Sequence, residues 1–256
     1  MMKKEEKKLV ASNIFEGITS ISAVLNAPKE NGRKIEKIWI DAEKRRSKAA
    51  QISFLVAKSK EEGFEIEFVT AEKIDELALG TSHGGFLAFC SERILPKLSA
   101  EYITPKSFYV YLEGIEDPYN FGYTLRSLYA AGVSGVVISP RNWMSSAGVV
   151  ARSSAGTSEL MPLFEADAEF AVELFQKVGY SVLCAGIRDS VSLFETNFSY
   201  PILLVIGGEK RGISRSILEK ADQIVRIDYG RSFRGSLSAA SAATVMAFEL
   251  FRQNQQ

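Results

Sequence analysis

An apolar run that ends in glycines constrains the fold of this chain more than any other feature. Pro201–Ile206 is followed at once by the octet Gly207–Ser214, which reads Gly-Gly-Glu-Lys-Arg-Gly-Ile-Ser. A second such ending comes at Ile227–Gly230, and Ser236–Ser238 then leads into a helix of small residues, Ala239–Phe251. A buried strand that ends in glycines is where an α/β protein brings bare backbone close to a ligand. The two endings therefore predict one ligand pocket built from adjacent loops.

A third segment lies upstream and has the same construction. The apolar run Phe108–Leu112 leads to Asp117-Pro-Tyr-Asn-Phe-Gly122, followed by a helical pattern that contains Arg126. The three segments together resemble the SpoU (TrmH) branch of the SPOUT RNA methyltransferases. The first motif of that family is Asn-x-Gly-x-x-x-Arg, which Asn120, Gly122 and Arg126 match.

The two later motifs of the family also have counterparts here. An apolar strand and Gly-x-Glu-x-x-Gly are matched by Gly207, Glu209 and Gly212, and the family's Ser-Leu-Asn by Ser236-Leu237-Ser238. The resemblance covers about residues 105–254 in the right order, and the stretch 151–156 resembles the family's linking segment. Each motif alone is weak evidence, whereas the three in order are specific.

The resemblance implies a fold, a reaction and a cofactor. The fold is α/β, with a C-terminal SPOUT domain that has a parallel sheet and a deep trefoil knot. The reaction is methyl transfer from S-adenosylmethionine to a ribose 2′-hydroxyl, and the protein is expected to be a homodimer. By this resemblance the cofactor is held by Gly207, Gly208, Gly212, Ile227, Ser236 and Leu237.

Four residues are implied to be catalytic: Arg126, Asn120, Glu209 and Ser238. The guanidinium of arginine stays protonated to about pH 12, so the hypothesis preferred here is that Arg126 clamps the target phosphate and aligns the hydroxyl. Asn120 is expected to cap the helix that follows, since asparagine is a favoured N-cap residue. Glu209 either holds Arg126, accepts a substrate hydroxyl or caps a helix.

Ser238 departs from the family, which has asparagine at this position. An asparagine amide offers two donors and one acceptor, whereas a serine hydroxyl is shorter and offers one donor. The change leaves the cofactor site in place and bears on rate and substrate. Ser236 either donates to the cofactor or substrate, or caps the last helix.

The first part of the chain predicts a separate small α/β domain. Helical spacing from Ile14 to Leu25 is followed by alternating helical and extended patterns, and Thr70 is a plausible helix cap. His83-Gly-Gly-Phe-Leu resembles the end of an N-terminal RNA-binding domain, similar to a small ribosomal protein, that many SpoU enzymes carry. His83 itself is expected to have a turn role. The predicted division is an RNA-binding domain over 1–95, a linker over 96–106 and a methyltransferase domain over 107–256.

Periodicity predicts the secondary structure as follows. In the first domain the expected strands are 37–41, 64–69 and 86–90 and the expected helices 47–62, ending at Gly63, and 70–79; in the second, strands lie at about 107–113, 135–139, 182–185, 202–207 and 223–227. Apolar strands that alternate with helices predict a parallel sheet covered on both faces.

Composition excludes several other classes of protein. Basic and acidic residues number 31 each, so any RNA surface must be local, either at 44–48 or at Lys210-Arg211 with Arg231 and Arg234. Cys90 and Cys184 lie in apolar runs and read as buried strand residues, and one histidine cannot build a metal cluster. The charged start at 1–8 reads as neither a signal peptide nor a mitochondrial presequence. No run is long enough to span a membrane, and a cytoplasmic location is expected.

Three aromatic residues beside the first motif, Tyr119, Phe121 and Tyr123, are candidates to stack a splayed base, although at least one of them is equally well a core residue. The first interpretation is methylation of ribosomal RNA, in 23S RNA by preference, and a role in antibiotic resistance is compatible with it. The alternatives are a tRNA 2′-O-methyltransferase and a catalytically weak RNA-binding relative that keeps the cofactor fold. A doubly wound nucleotide-binding protein ranks low, because no Gly-x-Gly-x-x-Gly follows the first strand.

Overall fold

The structure is a computed structural model that describes residues 13–29, 32–140 and 146–255. The charged start at 1–8 lies outside these residues. Within them the chain forms two compact units, the first made of 13–94 and 146–160, the second of 95–140 and 161–255. The segment 146–160 thus belongs to the first unit, whereas the sequence-based division places it in the second domain.

The first unit is built on a four-stranded mixed sheet in the order β1-β4-β2-β3. β4 pairs antiparallel with β1 and β2, and β2 pairs parallel with β3. The elements are β1 Ile14–Glu16, α1 Gly17–Asn26, β2 Ile35–Asp41, α2 Ala49–Glu62, β3 Glu65–Val69, α3 Ala71–Leu77, β4 Phe86–Cys90, α5 Ala147–Ser153 and α6 Thr157–Leu160.

Most predicted elements of the first unit are confirmed, with two corrections. The helical spacing assigned from Ile14 onward is wrong at its start, because Ile14 lies in β1, paired with Phe89, and the helix begins at Gly17. Thr70 occupies the N-cap position of α3 but its side chain makes no capping hydrogen bond to the helix backbone. The predicted stop at Gly63 is confirmed, since this residue caps α2 in a left-handed conformation with φ +82°.

Segment 146–160 packs closely on the N-terminal elements of the same unit. A side chain could not replace the hydrogen at Gly148, where a Cβ would lie 2.0 Å from the carbonyl oxygen of Ile14. Ala147 and Ala151 belong to the same apolar core as Phe15. The segment therefore completes the core of the first unit.

A buried ion pair also ties α6 to the N-terminal elements. Arg33 Nε donates to Glu159 at 2.9 Å, and both side chains are at most 4% exposed. Breaking such a pair leaves a buried charge without its counter-charge and is strongly destabilising. The pair is therefore expected to stabilise the packing of segment 146–160 on the N-terminal elements.

The second unit is built on a seven-stranded sheet in the order β7-β6-β5-β10-β8-β11-β9, with every pair parallel. Its elements are β5 Phe108–Glu113, α4 Pro118–Ala130, β6 Gly135–Ile138, β7 Leu163–Glu165, α7 Ala168–Lys177, β8 Ser181–Ala185, β9 Val191–Ser192, β10 Ile202–Gly207, α8 Arg215–Lys220, β11 Gln223–Arg226 and α9 Ala239–Gln253. The five predicted strands and the parallel sheet are confirmed, while the short edge strands β7 and β9 were missed.

The segment predicted as a linker is part of the second unit. Leu98 is buried in its core, and Lys97 forms an ion pair with Glu165. A 3-10 turn at Ala100–Tyr102 follows. The sequence did not predict this packing, because the segment has mixed charge and two prolines and a single buried leucine produces no periodic pattern.

Candidate functional site

A cavity of about 680 Å³ lies where three neighbouring strands of the second unit end. Its walls include residues at the carboxyl ends of β8, β10 and β11, which are adjacent in the sheet. Ligands of open α/β sheets bind in the crevice at this edge, and the volume is that of a small-molecule site. All six residues predicted to hold a cofactor line the cavity: Gly207, Gly208, Gly212, Ile227, Ser236 and Leu237.

Close backbone packing explains the first two glycines of the loop after β10. A Cβ on Gly208 would lie 2.0 Å from the carbonyl oxygen of Gly114, and a Cβ on Gly207 would lie 2.3 Å from the carbonyl carbon of Gly212. The N–H of Gly208 donates to the carbonyl of Glu113 at 2.6 Å. Gly212 has φ +65°, a left-handed conformation that favours glycine. The loop therefore requires glycine at these positions. Because glycine has no side chain, the loop presents bare backbone to the cavity.

Apolar and aromatic side chains form much of the opposite wall. Ile224, Leu218 and Met246 line the cavity together with Tyr229, whose hydroxyl accepts the N–H of Leu237 at 3.2 Å. That bond joins the two ends of the loop between β11 and α9. Apolar walls with a few placed polar groups are what a site for an amphiphilic small molecule requires.

A second cavity of about 350 Å³ adjoins the first, with Glu209 and Ala239 lining both. Asn120 lines this smaller cavity, and its side-chain amide donates to Glu209 Oε1 at 3.1 Å. The structure thus brings together the first and second motifs. Each motif contributes one polar side chain to the point where the two cavities meet.

The expectation that Asn120 caps its helix is wrong. Asp117 is the N-cap of α4, and its Oδ1 accepts the backbone N–H of Asn120 at 2.8 Å. Pro118 takes the first helical position, where its missing N–H matters least. Because Asp117 satisfies the helix end, the Asn120 side chain is free for Glu209.

Arg126 lies further along α4 and is exposed. It lines neither cavity, and it makes no hydrogen bond or ion pair with any residue that the structure describes. Glu209, which the sequence analysis offered as a possible partner for Arg126, is bonded to Asn120 instead. Phosphate clamping by Arg126 stays a prediction.

Ser238 caps the last helix. Its Oγ accepts the N–H of Ser241 at 3.1 Å and lies 3.0 Å from the Ser241 hydroxyl oxygen, to which it donates. Ser236 is exposed in the preceding loop and does not take the cap position suggested as its alternative role. Ser238 does not line either cavity, so its predicted part in catalysis is untested by this geometry.

An ionic network that the sequence patterns did not predict supports the loop after β11. Asp228 accepts the Ser192 hydroxyl and, at 2.8 Å, the Arg226 Nε, and these two contacts hold the pKa of the Asp228 carboxyl below its ordinary value. Arg226 also donates to the carbonyl of Ser190 at 2.5 Å. The only sign of this network in the sequence was Asp228, the acid next to Ile227. Its partner Ser192 lies on β9, and only the pairing of β9 with β11 brings the two residues together.

The aromatic candidates beside the first motif divide by burial. Phe121 is 3% exposed and belongs to the core, while Tyr119 and Tyr123 are exposed. The basic candidates Arg211, Arg231 and Arg234 are exposed and have no ion pair with the described part of the chain. Lys210 pairs with Glu116 at 2.8 Å in an exposed position, a type of contact that contributes little.

The predictions for His83, Cys90 and Cys184 are confirmed. His83 Nδ1 accepts the N–H of Gly85 at 3.1 Å and Nε2 lies 3.0 Å from Asp75, which is a turn role. Cys90 and Cys184 are buried in strands, and burial raises the pKa of each thiol to about 12. Among the described residues no cluster of metal-ligating side chains occurs, and none of their helices has the length and apolar character that crossing a membrane requires.

Two family models match this chain, one over each of its predicted domains. Residues 107–248 match the family model described as SpoU rRNA Methylase family, and residues 14–95 match the model described as RNA 2′-O ribose methyltransferase substrate binding. The 23S rRNA (guanosine-2′-O-)-methyltransferase RlmB of Pasteurella multocida is 31% identical over 95% of this chain and 99% of its own length. The RlmB of Shewanella oneidensis is 28% identical over 95% and 98%.

Solved structures share the fold. An AdoMet-bound rRNA methyltransferase from Sinorhizobium meliloti has a TM-score of 0.79 at 22% identity, over 98% of this chain and 95% of that one. The SpoU methyltransferase AviRb from Streptomyces viridochromogenes, in complex with AdoMet, has a TM-score of 0.77 at 20% identity, with 97% of each chain covered.

Proposed function

The chain belongs to the SpoU rRNA methylase family, an S-adenosylmethionine-dependent family of RNA 2′-O-methyltransferases, and from that premise we propose that it methylates one ribose 2′-hydroxyl of 23S ribosomal RNA. The observation that carries the proposal is the meeting of two cavities at Glu209. One has the glycine loop and apolar walls of a cofactor site, and the other holds the Asn120 amide.

The larger cavity fits S-adenosylmethionine in size and in chemistry. Apolar side chains of Ile227 and Leu237 suit the adenine, while the backbone of Gly207 and Gly208 offers polar groups without side chains in the way. Bound there, the cofactor supplies an electrophilic methyl group. The hydrogen bond from the Leu237 N–H to the Tyr229 hydroxyl orders the loop between β11 and α9 before the ligand binds.

The smaller cavity is the proposed place of the target ribose. Asn120 holds Glu209 through one carboxylate oxygen, and a carboxylate has lone pairs left to accept a substrate hydroxyl. Fixing that hydroxyl in line with the methyl group is the larger part of the catalysis, because alignment replaces a diffusional encounter. Arg126 is proposed to clamp the phosphate of the target nucleotide. The proton then leaves to another acceptor or to water.

The homodimer, the trefoil knot and the domain division are proposed from the family resemblance together with the structure. We propose a homodimer, supported by exposed aromatic side chains on the two packed helices α4 and α9, namely Tyr119, Tyr123, Tyr129, Phe248 and Phe251. The deep trefoil knot of the family is proposed for the chain after β11, which the out-of-sequence order of β10 and β8 in the sheet supports. The division into an RNA-binding domain and a methyltransferase domain, and a cytoplasmic site of action on ribosomal RNA, follow from the same proposal.

Mapping of 2′-O-methyl marks by mass spectrometry tests the function directly. Total RNA is compared between cells with and without the gene, and the deletion strain is complemented with wild type, with Arg126→Ala, or with Arg252→Ala as a control. Arg252 is an equally charged, exposed residue of α9 that pairs with Glu249, away from both cavities. We expect one mark in 23S RNA to vanish on deletion and to return with wild type and the control only.

Other outcomes change the proposal in defined ways. A mark lost from tRNA keeps the chemistry and overturns the assigned substrate. No lost mark, with S-adenosylmethionine still bound by the purified protein, would favour a catalytically weak RNA-binding relative. A mark restored in full by Arg126→Ala would remove Arg126 from the mechanism.

A further inference from the structure

A cavity of about 340 Å³ in the first unit is unexplained by the proposed reaction. It is lined by the first turn of α1, by Lys48 at the start of α2, by the turn at His83-Gly84, and by Arg152 of α5. All of these residues belong to the first unit, and none of them lines the proposed cofactor cavity. Its lining includes several residues with hydrogen-bond donors.

The first turn of α1 leaves N–H groups unused. The helix is ten residues long, its N-cap is Glu16, and the Glu16 side chain makes no capping bond. The N–H groups of Ile18 and Thr19 have no acceptor among the described residues. Free N–H groups and the positive end of the helix dipole together attract anions.

Ser20 offers the cavity a second kind of hydrogen-bond donor. The residue is only 2% exposed and lines the cavity, yet its hydroxyl has no hydrogen-bond partner within the described chain. The hydroxyl is not among the fully enclosed polar atoms that lack a partner, so it is accessible from the cavity and can donate to a group that binds there. A polar group that enters the cavity would satisfy it.

The charges around the cavity favour an anion. Glu16 is the one acid in the lining, and both of its oxygens are occupied, one by the N–H of Leu79 at 2.5 Å and the other by Arg152 at 2.9 Å. Arg152 balances that acid, and Lys48 has no counter-ion among the described residues. The cavity therefore keeps about one positive charge.

A basic run connects the cavity with the protein surface. Lys48 ends the sequence Lys44-Arg45-Arg46-Ser47-Lys48, whose first three side chains are exposed. Lys44 packs on the turn that lines the cavity, where a Cβ on Gly85 would lie 3.0 Å from the Lys44 Cγ. A chain of phosphates that enters the cavity would continue along this run.

We propose that the cavity binds one backbone phosphate of the RNA substrate, held by the first-turn N–H groups of α1, the Ser20 hydroxyl and the Lys48 ammonium. The proposal rests on the proposed function only in taking ribosomal RNA as the substrate. It assigns to the first unit a defined contact, and it gives the basic run at 44–48 its role as the path by which the RNA backbone enters.

RNA affinity measured as a function of salt tests this site. The full-length protein is titrated with in vitro transcribed 23S ribosomal RNA at several KCl concentrations, as wild type, Lys48→Gln, Ser20→Ala and Lys60→Gln. Lys60 is the matched control, because it loses the same charge from the same helix but is exposed and outside the cavity. Thermal unfolding of each variant confirms that it is folded.

One lost phosphate contact has a defined signature. Lys48→Gln should lower the slope of log affinity against log salt by about 0.7–0.9 and raise Kd about fivefold at 0.15 M salt, while Lys60→Gln changes neither. Ser20→Ala should raise Kd about threefold or more with the slope unchanged, because it removes a neutral donor. These results together would establish the site.

The opposing results are equally distinct. Equal slopes and affinities for Lys48→Gln and Lys60→Gln, no effect of Ser20→Ala, or no binding of the RNA by wild type would each overturn the proposed phosphate site. Methyl transfer by wild type, measured in the same samples, tests the proposed function separately. If the protein binds the RNA through Lys48 and Ser20 but does not methylate it, the proposed function is wrong and the proposed phosphate site is retained.

Discussion

Replacement of Gly208 by alanine should disrupt the proposed cofactor site. Its Cβ as alanine would lie 2.0 Å from the carbonyl oxygen of Gly114, and an ordinary contact begins at 3.4 Å. The two loops must therefore separate by about 1.4 Å. Both atoms belong to backbone, so no side-chain rotation relieves the overlap, and the hydrogen bond from Gly208 N–H to Glu113 at 2.6 Å is strained or lost.

The expected magnitude follows from two effects. Overpacking costs about 1–3 kcal/mol, and loss of one backbone hydrogen bond adds about 0.5–1.5 kcal/mol. If the loop moves, the loss of about 2–4 kcal/mol appears as weaker binding of S-adenosylmethionine, by roughly 30-fold to 700-fold. If it does not move, the same free energy appears as lower stability, at about 2–4 °C in Tm per kcal/mol.

Calorimetric titration with S-adenosylmethionine and a thermal melt measure both quantities for Gly208→Ala. Gly230→Ala is the control, since it adds the same methyl group to the same unit at a position where nothing lies within 4 Å and φ is not positive. A Gly208→Ala protein with the Kd and Tm of the control would refute the reasoning, because it would mean that the loops are not in contact as described.

Three further predictions follow from the contacts of single side chains. Ser238→Ala removes the cap of α9 and should lower the free energy of unfolding by about 1 kcal/mol, which a denaturant titration measures, whereas Ser236→Ala should not. Glu159→Gln should destabilise the first unit by about 3–5 kcal/mol, because Arg33 keeps a buried charge; a melt within 1 °C of wild type would contradict this. Because the pKa of Asp228 is lowered in the folded protein, its stabilising effect is present above the ordinary value of 3.8 and is lost as pH falls through the folded value; Asp228→Asn should flatten the stability curve over that acid range.

Much of the site could be predicted because it depends on local sequence. The glycines after β10, the strand before them and the order of the motifs could all be read from the sequence. The six residues predicted to hold the cofactor line one cavity. Asn120 shows the limit of such reading. Its residue type favours a cap, but Asp117 three residues earlier competes for the same helix end and takes it. Which of two good cap residues is used depends on where the preceding strand delivers the chain.

Contacts between distant residues that lie outside the motifs could not be predicted. The Arg33–Glu159 pair joins residues 126 positions apart, and its charges looked in the sequence like any exposed ones. The unpartnered hydroxyl of Ser20 is likewise visible only once α5 and the His83 turn surround it. Burial makes the charges of Arg33 and Glu159 important for stability, because water no longer screens their attraction.

The sequence by itself determined the strands, the glycine loops, the parallel sheet and the membership in a methyltransferase family, because each depends on residues close together along the chain. The tertiary structure decided which unit takes segment 146–160, that Asn120 bonds Glu209, and that Ser238 caps a helix. The physical reason is the same in each case. Hydrophobic periodicity and backbone preference act locally, whereas packing and the satisfaction of buried polar groups depend on which distant segments the fold brings into contact.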